Sequence, residues 1–558
     1  MTVLGLHYLI WVVLIAYFAG MLALGWYSKR QAASQEGYLM GNRRFGIGMM
    51  VMHAFGAGTH PGDVAGVVSK TVGGGASGIW VSWMWMFGTP FYWLIAPIIR
   101  RLRCLTLADY FRQRYNQTCT LVYVIVATVG MTLAVTSILL ATTRTVQGMM
   151  GKAGPEHEAW FYGILICSTV VFAIYGYWGG IVAAIRTDMA QGLMIIALSF
   201  VAIPAAIKLQ EVGGFAGVKE ALVQEDAAFL SLFDPGSFKL GNVILLCIIS
   251  PLSMMAQPHL ITVCGAGKTE WEGRVGFTYG NILKRICTMG WCILGLCWLA
   301  YLFNSGQLEG RPSGAMADAA FGDAVRALLN PFLQGLMLAC VMAAAMSTGD
   351  AMQVTVAGLI SQNIYKVYFN PQADDKKIMQ VTKITGLGIV LLSLLFALLL
   401  EGSFVRAILD FNKITGYVGI SVVMGILWRR MNAGGMLTSV ILAEATFVVL
   451  RYFMNDVDKM VVSGVPLAAG LIGGIVGSLL TRRPETNQSD TFFKKIHTPI
   501  GQEEKLSLPL DEAVPVQDRL VTAGGLFILK PSRQSWLGFL LALGICLLCL
   551  WSMFLLLR

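Results

Sequence analysis

Charge is scarce in this chain. Aspartate, glutamate, lysine and arginine make up 13% of its 558 residues, about half the share of an ordinary soluble domain. With 56% hydrophobic residues gathered in serial apolar runs of about twenty, that scarcity excludes a soluble globular domain. It identifies a polytopic, all-α membrane protein. Before Lys29 there is neither a basic leader nor a small-x-small cleavage site, so the first run, Tyr8–Trp26, is expected to be a span. The 11 cysteines suggest no disulfide framework, because most lie inside apolar runs as small packing residues. Cys546 and Cys549 have metal-like spacing but no further ligands beside them. Also absent from the helices are a nucleophile–base pair, a metal-ligand cluster and a phosphate loop, so an enzyme is not expected.

About fourteen apolar segments can be drawn by the hydropathy criterion. The net charge of +10 falls in short loops beside them, which fits positive-inside topology better than nucleic-acid binding. Lys29, Arg30, Arg43 and Arg44 follow the first span, and Arg100, Arg101, Arg103, Arg112 and Arg114 the third. The alternate loops are acidic or sparse, as at Glu220, Glu225 and Asp226. The expected placement is a plasma or inner membrane with the amino terminus outside. The longest hydrophilic insert, 481–534, reads as a loosely ordered cytoplasmic connector.

Two spans look broken. The second carries Gly56-Ala57-Gly58-Thr59-His60-Pro61-Gly62-Asp63 near its middle. Pro251 interrupts the seventh, with Gln257-Pro258-His259 near its cytoplasmic end. Irregular backbone at membrane depth is tolerated where it is buried or lines a cavity. Five spans separate the breaks, the offset of two inverted repeats that each contribute one discontinuous helix to a midplane site. A kinked packing helix is the plainer reading of either break alone.

In the ninth span, Pro331–Leu359, the polar cluster Ser347-Thr348-Gly349-Asp350 follows Ala344 by one turn. Hydroxyl and carbonyl oxygens of this kind suit a dehydrated alkali cation. Equally, both hydroxyls can bond back to carbonyls a turn earlier.

Several motifs in order resemble the sodium:solute symporter family. Tyr38 to Gly46, Thr106 to Tyr115, Gly179-Gly180 followed by Arg186 to Gly192, Gln257-Pro258-His259, and Ala344-x-x-Ser347-Thr348 followed by Asn363 to Lys366 each match one of its elements. The resemblance covers about residues 1 to 500. It implies a five-plus-five inverted-repeat, LeuT-like transporter of about 14 helices that imports a small polar organic solute with sodium by alternating access. The implied domains are 1–45, an extra helix and loop; 46–430, the transport core, with repeats 46–208 and 239–430; 431–480, two accessory helices; 481–534, the cytoplasmic loop; and 535–558, a last helix. The implied sodium ligands are the hydroxyls of Ser347 and Thr348 and the carbonyls of Ala344, Ala54 and Ala57. Asp188 matches a second sodium position, against the simpler pairing of Asp188 with Arg186; Asp350 departs from the serine that members with a second ion place there, and either replaces its hydroxyl or caps a polar network with Asp188. His60, Asp63, Asn412 and Lys413 are the implied solute contacts, although a lone histidine is often a packing residue. The partners are that solute and the lipid bilayer. A proton-coupled or uncoupled carrier, and a transporter-like sensor, are the alternatives on the same scaffold.

Overall fold

The computed structural model describes residues 2–28, 37, 40–152, 157–234, 238–312, 314–399, 404–454, 456–521 and 523–558. A bilayer offers the backbone nothing to bond with, so an open chain crosses it as helices that satisfy their own N–H and C=O groups. Among the described residues, nine helices are long and apolar enough to cross, and four shorter apolar helices accompany them. Helix α1 spans Tyr8–Ser28. It is followed by α2 (Ile47–Ala57), α3 (Pro61–Gly74), helical turns leading to α4 (Tyr92–Arg101), then α5 (Ala108–Arg114), α6 (Gln117–Met150) and α7 (Glu158–Ile207). Next come α8 (Leu240–Ala256), α9 (Leu260–Gly265), α10 (Glu270–Asn304), α11 (Gly314–Leu328), α12 (Pro331–Ile360), α13 (Asp375–Leu399) and α14 (Phe404–Leu427). Helices α15 (Ala433–Val448), α16 (Lys459–Leu480), α17 (Thr486–His497) and α18 (Arg533–Leu557) complete the chain.

Side-chain caps fix several starts. Asn116 accepts from Cys119 N–H to open α6, and Asn330 accepts from Leu333 N–H ahead of Pro331 at the first turn of α12. A Thr269–Glu272 capping box opens α10, four turns earlier than the apolar run Ile286–Leu302 suggests. The added length carries Lys284 and Arg285 into the buried interior. Glycines let α10 lie hard against α2: a Cβ at Gly276 would stand 2.7 Å from that of Met50, and one at Gly280 2.5 Å from the Val51 carbonyl.

The fifth and sixth spans were expected as separate runs, Phe161–Trp178 and Met189–Ile207. The backbone is helical throughout 158–207. Phe172 nevertheless touches Gly349 while Asp188 bonds Ser347, two positions on one turn of α12. A straight helix would hold Phe172 and Asp188 about 24 Å apart, so α7 bends between them, and its Ala184–Ile207 part is long and apolar enough to cross a membrane.

The first break falls where glycine and proline put it. Helix α2 ends at Ala57, His60 is extended at φ −112°, ψ 164°, and Pro61 opens α3. Proline forces its predecessor out of the helical region and needs no donor at a first turn. The second break is not at Pro251, which α8 accommodates, but at Gln257–His259, between α8 and α9. The same pre-proline constraint acts on Gln257, which is extended.

The described residues of the 481–534 insert are tied to the rest of the chain, where a loose connector was expected. Arg101 and Arg103 donate to the carbonyls of His497, Lys495, Thr498 and Pro499 at 3.2–3.4 Å. Glu270 ties Arg101 to Ile500 N–H, and Arg429 pairs with Asp490. Buried Arg114 of α5 donates to the carbonyls of Gly425, Trp428 and Met431 at 2.8, 3.0 and 2.9 Å, satisfying orphan acceptors at the end of α14.

Candidate ion and solute site

The break in α2–α3 faces the middle of α12. Thr348 Oγ1 donates to the carbonyls of Gly56 at 2.8 Å and Thr59 at 2.9 Å. Beside it, Ser347 Oγ donates to Asp188 Oδ1, and the other oxygen of that carboxylate lies 2.7 Å from His53 Nδ1 on α2. All five residues with side chains in this cluster are buried. Gly56 allows the approach: a Cβ there would sit 2.6 Å from Ser347 Oγ and 3.2 Å from the Asp188 carboxyl. Two backbone carbonyls at the break, two hydroxyls and a carboxylate converge, oxygens suited to a hard, small cation.

One turn along, the same break joins a second buried constellation. Asp63 Oδ2 accepts the His60 backbone N–H at 3.3 Å and pairs with Lys284 Nζ at 2.6 Å. Lys284 also donates to the Gly58 carbonyl. Arg285 beside it donates to Ser82 O at 2.8 Å and to Thr89 Oγ1 at 3.3 Å. His60, Trp85, His259, Asn281, Lys284 and Arg285 help to line a cavity of about 30 Å³, room for about one water.

A sequence profile of the sodium:solute symporter family matches residues 38–443. The chain belongs to that family. The osmoregulated proline transporter of Bacillus subtilis is 25% identical over 498 residues, covering 84% of this chain and 94% of the relative. The sodium/proline symporter of Escherichia coli is 24% identical over 512 residues, covering 86% and 95%. A solved substrate-bound, outward-open sodium-coupled sialic acid symporter aligns with a TM-score of 0.70 at 17% identity, over 86% of this chain and 99% of that one. The likeness establishes the LeuT-like fold of this symporter and its discontinuous helices.

Within that fold, the sequence-predicted residues divide. Ser347, Thr348 and Asp188 come together. The carbonyls facing Thr348 are those of Gly56 and Thr59, not the expected Ala54 and Ala57. Ala54 O instead takes the Gly58 N–H at 3.2 Å, so it still belongs to the closing turn of α2. Asp188 takes His53 and Ser347 as its partners, where Arg186 was the simpler expectation. Asp350 lies in α12, but its side chain is outside the described residues. Ala344 is buried one turn before Thr348.

Of the expected solute contacts, His60 lines the cavity and Asp63 lies behind it. Asn412 donates to Ser250 Oγ at 3.2 Å, and Lys413 has its ammonium 5.8 Å from the Phe447 ring. Asn412 thus meets α8 and Lys413 meets α15, and neither is among the residues lining the His60 cavity.

His53, Lys284 and Arg285 were not anticipated. Hydropathy averaging assigned Lys284 and Arg285 to a span edge. A signal was available, since Thr269-x-x-Glu272 marks a helix start well before them.

Proposed function

We propose that this symporter binds sodium between the break of α2–α3 and α12, and imports a small polar organic solute with it. The carbonyls of Gly56, Thr59 and Ala344 and the hydroxyls of Ser347 and Thr348 hold the ion, with Asp188 supplying the compensating charge. The observation that carries this reading is Thr348 bridging the Gly56 and Thr59 carbonyls at 2.8 and 2.9 Å. The Gly56 carbonyl also takes the Thr59 N–H at 3.0 Å, and both carbonyls stand at the break, where a cation can replace the hydroxyl donor. Sodium entering there turns the two hydroxyls from donors into ligands and binds the first repeat, through α2, to the second, through α12.

The solute sits beside it, against His60 and the residues of α10. Gly58 links the two sites: its neighbours Gly56 and Thr59 face the ion position, while its own carbonyl faces Lys284. Ordering the unwound backbone by sodium therefore sets the wall of the solute pocket, which couples the two binding events. The repeats 46–208 and 239–430 rock to expose both sites inward, with the amino terminus outside a plasma or inner membrane. Each charge moved through 100 mV contributes about 2.3 kcal/mol to uptake.

The test is sodium titration of Ser347→Ala and Thr348→Ala, read by thermal stability of the purified protein. Each variant is expected to fold and to need at least tenfold more sodium for the same stabilisation. Unchanged titrations in both would remove the site.

A further inference from the structure

We propose that the solute carried with sodium is an organic anion whose carboxylate is received by Lys284 and Arg285 of α10. The inference rests on the solute position argued above and adds the charge of what binds there. Two cationic side chains, 5% and 1% exposed, stand side by side in the interior of the helix bundle. Among the described residues, one carboxylate lies within ion-pair distance of either: Asp63, 2.6 Å from Lys284 Nζ. Arg285 is held by neutral oxygens, those of Ser82 at 2.8 and 3.4 Å and of Thr89 at 3.3 Å. Two positive groups therefore share one negative group, at a depth where an uncompensated charge costs several kcal/mol.

Further features of the same cavity ask for an anion. Helix α3, 14 residues long, begins at Pro61 and turns its positive end toward it. The Trp85 indole N–H, in a residue 5% exposed, has no hydrogen-bond partner. The centre of its ring lies 5.4 Å from Lys284 Nζ, and both residues line the same cavity. The second ring nitrogens of His60 and His259 are buried and unpartnered as well, leaving polar positions for the rest of the solute. A cavity of about 30 Å³ is too small for an organic acid. Two of its walls are Met254 and Met352, unbranched side chains that yield at low cost.

Charge also explains coupling. Asp188 balances the sodium ion, so a neutral solute would leave the excess positive charge at α10 uncompensated in every loaded state. An anion removes it and crosses with the cation.

The experiment compares matched anionic and neutral probes on the purified full-length protein: pantothenate with pantothenol, N-acetylneuraminate with its methyl ester, and lactate with propanediol. Each is assayed by thermal unfolding in sodium and in potassium. The expected result is at least one acid that raises the melting temperature only in sodium, with its neutral counterpart at least tenfold weaker. Lys284→Met should weaken that acid at least tenfold while sodium alone still stabilises. Because Lys284→Met strands Asp63, the pair-neutral double variant Lys284→Met, Asp63→Asn is measured alongside and should show the same loss. Neutral probes acting as well as acids, every acid silent, or full acid binding in the double variant would each overturn the proposal and leave sodium coupling intact. A protein that sodium itself does not stabilise would instead overturn the reading of the site on which the proposal rests.

Discussion

Gly56→Ala is the sharpest perturbation of the ion site, because it adds one methyl group and removes no polar atom. In helix α2, exchanging glycine for alanine would by itself stabilise by about 1 kcal/mol. Here the new Cβ would meet Ser347 Oγ at 2.6 Å and the Asp188 carboxyl at 3.2 Å, and overpacking of that kind costs about 1–3 kcal/mol. The fold should therefore lose between nothing and about 2 kcal/mol, well inside what a folded protein tolerates. The ion should lose more. Pushing the Ser347 hydroxyl aside deprives a cation of one oxygen, and a hydrogen bond or ligand contact to a charged group is worth about 1.5–3 kcal/mol. At about 1.4 kcal/mol per tenfold, the sodium midpoint should rise between tenfold and a hundredfold. The assay is melting temperature against sodium concentration at constant ionic strength, with potassium as replacement. Gly388→Ala on α13 is the control, since nothing stands within 4 Å of a Cβ there. It should gain slight stability and keep the wild-type midpoint. A Gly56→Ala protein with the wild-type midpoint would refute the close approach of α2 and α12 as the ion's binding surface.

Two other outcomes probe contacts at the ends of α14 and α17. Arg114→Lys keeps the charge but loses the planar fork that reaches three carbonyls at the end of α14; a loss of about 2–4 kcal/mol should appear as a lower melting temperature with sodium affinity unchanged. His497 stacks on Phe493 and Phe527, and burial, helped by Arg101 and Arg519, lowers its pKa from 6.5 to about 3. Its unfolded form thus takes up a proton that its folded form refuses. Stability should fall as pH drops from 6.5 toward 3, by about 2 kcal/mol at pH 5, and His497→Phe should flatten that slope in a pH series of melting curves.

Much of the architecture is legible in the chain because the membrane makes hydropathy and backbone satisfaction nearly the same question. Gly56, Gly58 and Pro61 announce the first break, and Gln257-Pro258 the second, since glycine and proline act locally. Ser347 and Thr348 are legible for a related reason: polar groups at that depth must answer to something. The carbonyl register is harder. Where a helix unwinds, each residue turns its carbonyl by an amount set by tertiary contact, so Gly56 and Thr59 rather than Ala54 and Ala57 meet Thr348. Pairings over long separations are harder still. Asp188 finds His53 across 135 residues, and Arg101 finds His497 across 396, choices no local pattern encodes. Lys284 and Arg285 were hidden by averaging, because a window that blurs two charges into a span edge cannot tell a loop from a buried functional turn.

The 2.6 Å pair of Asp63 and Lys284 also bears on how the protein is made. Its partners lie 221 residues apart, and chains emerge from the ribosome at about 5–20 residues per second. Asp63 thus enters the bilayer about 10 to 45 s before its counter-ion exists. For that interval α3 carries a lone carboxylate whose insertion is opposed by about 2.5–3.5 kcal/mol on the translocon scale. When α10 arrives, its two cations face the same penalty until it docks. Biogenesis of the first repeat therefore waits on the second. That interval is when membrane chaperones and proteases would meet an unfinished chain, so variants that lose one of the two charges should be recovered in lower yield than the pair-neutral double variant.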